Sequence, residues 1–174
     1  MSASVTIYIL RILHVVIGIL WVGAAVFIAA FLVPSIRAAG PAGGAVMRQL
    51  MQVRRLALWL MAAGILTVLS GLTLYGLDSA GFRSAWLGSG PGRVFGLGGV
   101  FAIGATIVGM AVNSPAARRL GELTAKVEAG GRAPTPDELA VVQRLQARLA
   151  QGSQWAAVLL VLATTAMAVA RYVP

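Results

Sequence analysis

Three side chains in this sequence could meet at one depth of a membrane and do chemistry there: an imidazole, a guanidinium and a thioether. His14 is the only histidine. A neutral imidazole ligates haem iron or copper, and it can relay protons. Arg11 lies one helical turn before it, and Gly18 and Trp21 lie one and two turns after, so the four share a face. Arg11 could pair with a haem propionate, or it could snorkel to the headgroups. Met167 is the one soft ligand at a comparable depth, and a His14/Met167 pair is allowed by geometry. An ionisable residue inside a membrane span is a functional candidate by default. The plainer reading of His14 is a neutral ring bonded to a neighbouring helix's hydroxyl or carbonyl, and methionine is a common gap filler. The residues alone leave both readings open.

Other chemistries lack their parts. The chain has no cysteine, which removes disulfides, thiolate metal sites, iron–sulfur clusters and cysteine nucleophiles. Met61 and Met110 fall at the opposite depth from His14, and Met47 and Met51 lie one turn apart in a loop. Every acid sits in a loop or polar segment, so no membrane carboxylate pair and no Ser–His–Asp set can form. Haem held by two histidines would need two copies of the chain. The run Gly88, Gly92, Gly96, Gly98, Gly99, Gly104, Gly109 follows no strand and fits no nucleotide motif. It reads as a small surface for close helix packing in lipid. The sequence leans away from an enzyme.

The elements that must position these groups are membrane spans. Hydrophobic residues make up 59% of the chain and charged residues 11%. A soluble domain is about half apolar and a quarter charged, so the excess points to segments solvated by lipid. A helix crosses the hydrocarbon with about 20 apolar residues. Four stretches qualify, at about 5–32, 56–77, 93–112 and 154–171. The first is too long for a signal-peptide core and reads as a retained helix. It is expected to end ahead of Pro34, because a proline disfavours helix in the residue before it. On the second, Ala63, Thr67, Gly71 and Tyr75 repeat every fourth residue as a packing face, and Ser70 and Thr73 can bond to their own helix or across to a partner. Asn113–Ser114–Pro115 is expected to break the third, with Ser114 capping a new helix.

Residues 115–150 read as a polar helical hairpin turning at Gly130, Gly131 and Pro134. Thr135 and Glu138 form a capping box at the start of its second arm. That arm leads through Gly152–Ser153 into the last span with little or no break. The net charge of +9 suits anionic headgroups and loop orientation better than nucleic acid, for which no motif is present. Arg37, Arg48, Arg54 and Arg55 in the first loop, and the basic residues of the hairpin, place both long loops in the cytoplasm and both termini outside.

Residues 11–23, RILHVVIGILWVG, on a helix running to Pro34, resemble the opening helix of the CopD-type copper-resistance membrane domains. Related uncharacterised four-helix bacterial proteins share it, as do, more distantly, the HemJ-type protoporphyrinogen oxidases. The closing AVARYV, residues 168–173, looks like the uncharacterised members. The resemblance implies a bacterial inner-membrane protein in which His14 serves haem or copper. The chain departs from the HemJ type, since its only lysine is Lys126 and it lacks that group's further histidines.

The expectation is thus an all-α fold, a four-helix transmembrane bundle with a cytoplasmic helical hairpin between helices 3 and 4. In it His14, Arg11 and Met167 are the candidate residues for haem b or copper, in electron transfer or metal handling. The alternative is a cofactor-free scaffold or accessory subunit that uses the hairpin to bind a partner. The surroundings implied are a lipid bilayer and a homodimer or membrane-complex partner.

Overall fold

From residue 3 to residue 174, the part described by the computed structural model, the chain is helix joined by short turns. Helix α1 (Ala3–Phe27) passes through a π-helical turn, Ile28–Leu32, into α2 (Val33–Ala38). The first loop is itself helical: α3 (Pro41–Arg48) continues into a π turn, Gln49–Val53. After Arg55, whose φ of 52° turns the chain, α4 spans Leu56–Asp78. A one-turn helix, α5 (Ser84–Leu87), precedes α6 (Gly90–Val108), and a π turn, Gly109–Asn113, joins α6 to α7 (Ser114–Ala129). The last helix, α8 (Pro136–Val169), closes in a short 3₁₀ turn. Helix accounts for 89% of the structure, with no strand among the described residues. The all-α class stands, and four rods are long and apolar enough to cross a membrane: Val5–Ala38, Leu56–Asp78, Gly90–Ala129 and Pro136–Tyr172.

Two expected breaks are absent, and for the same reason. Proline has no N–H to give, and its ring collides with the carbonyl four residues back. Ahead of Pro34 the chain inserts a π turn, in which the Val33 N–H bonds the Ile28 carbonyl, so Pro34 enters as a first-turn residue and the rod runs on to Ala38. Ahead of Pro115 the Ser114 N–H bonds the Gly109 carbonyl in the same way. Ser114 is therefore helical and caps nothing, and α6 and α7 form one rod. The helix thus does not end at residue 32, and the chain does not break at 113–115. Both prolines sit two residues beyond a π turn, a register change that sequence periodicity does not show.

The second polar arm and the last span are one helix, as the weak interruption at Gly152–Ser153 suggested. The capping box at its start is formed: the Thr135 N–H donates to Glu138 Oε2 at 2.9 Å, and the Glu138 N–H to Thr135 Oγ1 at 3.3 Å. Glycine starts α6 at Gly90 instead of residue 93, with Ser89 Oγ accepting from the Gly92 N–H.

The long helices pack as a ring, α1 on α4, α4 on α6, α6 on α8 and α8 back on α1. Small residues let them approach: Ala102 and Ala105 of α6 meet Leu160 and Ala163 of α8 in a core that also takes Trp21. Without water to drive association, such close van der Waals contact is what holds helices together in lipid. The outer surface is apolar, with Ile12, Val16, Leu20, Leu69, Val100 and Ile107 exposed. At one end α7 packs along α8. The first loop docks there too, through an Arg48–Glu128 ion pair and Arg37 donating to the Gln146 carbonyl at 3.0 Å. Both long connections therefore lie at the same end of the bundle.

Candidate functional site at the seam of α1 and α4

The four residues on one face of α1 each meet a partner on α4, in antiparallel order. One Nη of Arg11 donates to both carboxylate oxygens of Asp78, at 2.9 and 3.2 Å. The His14 ring lies over Gly71, where a Cβ would stand 2.8 Å from Cε1. A Cβ on Gly18 would touch Thr67 Cγ2 at 3.5 Å, and one on Gly64 would press on Trp21 Cζ2 at 2.9 Å. Reading down α4, positions 71, 67 and 64 step by four and then three, as 14, 18 and 21 do on α1. Each glycine makes room for the larger group opposite.

His14 Nδ1 lies 2.9 Å from the Thr67 carbonyl oxygen and 3.2 Å from Ser70 Oγ. A carbonyl only accepts, so Nδ1 carries a proton and donates it. The Ser70 hydroxyl itself donates to the Leu66 and Thr67 carbonyls, at 2.7 and 3.1 Å, which leaves its lone pairs toward the ring. In the neutral ring Nε2 then keeps its lone pair, and it makes no hydrogen bond among the described residues. This is how a metal-ligating histidine is oriented: one nitrogen fixed on a carbonyl, the other presented as a base. Gly71, one turn on, has no side chain to keep the ring off the carbonyl of Thr67. Thr67 Oγ1 is buried without a partner, whereas Thr73, Thr106, Thr164 and Thr165 each bond the carbonyl four residues back.

The other two candidates engage elsewhere. Arg11 has a carboxylate partner within the chain. Met167 packs on α6, its Cγ 3.0 Å from where a Gly98 Cβ would stand, so it and His14 contact different neighbouring helices. No group of three or more His, Asp or Glu that could hold a metal occurs among the described residues. An open groove of about 410 Å³ between α1 and α8 is lined by Val26, Ala29, Ala30, Ala157, Val158 and Val161, with no ionisable group. His14 is thus one oriented imidazole with no group of further ionisable donors beside it among the described residues. One imidazole is enough to hold a haem. A protein copper site needs further donors.

No protein-family model, curated protein or solved structure matches the chain.

What the site can do is therefore read from its own geometry. The sequence pointed to His14, Gly18, Trp21, Thr67, Ser70 and Gly71 but not to their pairing; it passed over Gly64, and Asp78 reads from it as a charge of the following connection, whereas it is the last residue of α4. The mirrored spacing on α1 and α4 was the available signal. The Thr67 carbonyl, which fixes the imidazole, is a backbone group that sequence patterns do not mark.

Proposed function

We propose that this chain is a small multi-pass protein of a bacterial-type inner membrane in which His14, through Nε2, would hold haem b. The hairpin and first loop face the cytoplasm, and the termini lie outside. The supporting observation is the Nδ1 hydrogen bond to the Thr67 carbonyl, which orients the ring and leaves Nε2 free. Haem at that position would supply one-electron redox chemistry. The protein's part is to hold the ring, with Ser70 and the Thr67 carbonyl fixing its plane and Gly71 giving it room. A second copy of the chain would bring a second imidazole, and the apolar, largely uncovered flank of α1 supports such a pairing.

Protein purified from a haem-replete host tests this. The expected result is a Soret band that His14→Gln abolishes, with the variant still monodisperse, because glutamine can keep the bond to the Thr67 carbonyl. A Soret band unchanged in His14→Gln would overturn it.

A second reading rests on a different observation, that Arg11, His14, Gly18 and Trp21 all have packing partners on α4. On that reading the seam is structural and the protein is a cofactor-free scaffold whose hairpin binds a partner. Colourless, metal-free wild-type protein from the same host would favour it.

A further inference from the structure

Away from the His14 seam, a mixed pocket of about 320 Å³ opens between the end of α6 and the middle of α8. Its walls are Val108 and Val112 on one side and Arg148, Gln151, Gly152 and Trp155 on the other. The four α8 residues are spaced three, one and three apart, which puts them on one helical face. Along that face the chemistry changes in order: a guanidinium, then an amide, then a glycine against which Asn113 packs, then an indole. Trp155 is 58% exposed beside two valines. Tryptophan prefers the headgroup level of a bilayer, with its ring toward the acyl chains. The pocket therefore crosses from the polar hairpin into the apolar part of the bundle.

The Arg148 charge is unmatched. Of the five acids, Asp78, Glu128, Glu122 and Glu138 pair with Arg11, Arg48, Arg118 and Arg132. The fifth, Asp137, is in the first turn of α8, about 16 Å along the axis from Arg148 at about 1.5 Å per residue. A basic side chain over an apolar wall between two spans fits an anionic headgroup whose acyl chain follows the wall. A free phosphate would satisfy Arg148 but would leave the valines and the indole uncovered.

We propose that this pocket is a binding site for an anionic phospholipid, with the phosphate at Arg148 and Gln151 and an acyl chain against Val108, Val112 and Trp155. The site does not depend on what His14 binds. The full-length protein in phosphatidylcholine nanodiscs, doped with phosphatidylglycerol carrying brominated acyl chains, provides the test. Bromine quenches nearby indoles, and the difference between wild type and Trp155→Phe isolates Trp155.

Quenching of Trp155 is expected to saturate at a low share of brominated phosphatidylglycerol and to be weak with brominated phosphatidylcholine. Arg148→Gln should weaken the apparent affinity by about tenfold or more, as the loss of a charge-assisted contact does. Arg148→Lys should retain most of it. Arg119→Gln, at an exposed position on α7, should cost no more than about fivefold, the worth of a diffuse surface charge. Equal quenching by both lipids would overturn the proposal. So would an equal loss in Arg119→Gln and Arg148→Gln, or displacement of the brominated lipid by inorganic phosphate.

Discussion

The bundle has two kinds of seam. Between α6 and α8 the contact is dry and small: Gly98, Ala102 and Ala105 face Leu160, Ala163, Ala166 and Met167, and Leu160 and Ala105 are each 2% exposed. Between α1 and α4 small residues alternate with polar ones, and the seam carries an imidazole, a hydroxyl, an orphaned threonine Oγ1 and an ion pair. Coverage differs in the same sense. In the most apolar stretch of each rod, 6% of the first is buried inside the bundle against 28% of the last. The first seam sets the fold, while the second holds groups whose hydrogen-bonding capacity is not fully used. An oriented base with a free lone pair can persist only where packing is loose enough to leave it accessible and tight enough to hold its other nitrogen.

The largest stability effect belongs to the apolar seam between α6 and α8. Leu160→Ala should destabilise the bundle by about 2 kcal/mol, chiefly through the cavity, since moving a leucine out of lipid contributes little. Reversible unfolding in mixed micelles reads this. A loss below that of any α1/α4 variant would reverse the ranking of the seams. Gly71→Val comes next, at about 1 kcal/mol, the low end for an overpacked contact because the atoms met are the far end of the His14 side chain. Its new Cβ lies in the space of the His14 ring, so any spectrum that depends on His14 should change as well. Gly99→Val, a control whose Cβ would meet nothing within 4 Å, should leave both stability and spectrum close to wild type.

The sequence carried more of the fold than of the site. Span number, the capping box at Thr135 and the near-continuity of the last helix were legible, because apolar length and cap chemistry are local. The π turns ahead of Pro34 and Pro115 were not: both prolines read as stops because the compensating register shift lies in backbone hydrogen bonds that leave no compositional mark. At the site, the helical face Arg11–His14–Gly18–Trp21 was readable from spacing alone. Its partners were not, because pairing across 53 residues of chain, from His14 Nδ1 to the Thr67 carbonyl, depends on how two helices align. Arg11 looked available to a ligand until Asp78, the last residue of α4, came alongside it.

The ion pair at the end of the α1/α4 seam sharpens the comparison at lower energy. Arg11 and Asp78 are 39% and 36% exposed, so solvent and headgroups screen them, and Asp78→Asn should cost less than about 1 kcal/mol. The loss should shrink further at high salt. A cost matching that of Leu160→Ala would mean that the seam closes on a dry charge pair instead of opening at its end.

The smallest effect lies outside both seams, at the start of α8. Glu138 accepts from Arg132 at 2.7 Å and from the Thr135 N–H. These bonds, the one from Arg132 first, hold its carboxyl below the ordinary 4.5, at about 2. A carboxylate with a depressed value in the folded state stabilises it fully above the ordinary value, and that contribution is lost as the pH falls through the depressed one. The capping box should therefore stay intact at pH 5 and open only under stronger acid. The Thr135 amide proton reports it directly, because its acceptor is lost on protonation. Its NMR shift should titrate with a midpoint well below 4.5, and Arg132→Gln should move that midpoint upward. Because the box lies beyond the spans, Arg132→Gln should leave the NMR signals of the His14 seam unchanged. A change there would show that α8 transmits the opening of its first turn into the bundle, and the independence of the two ends would fail.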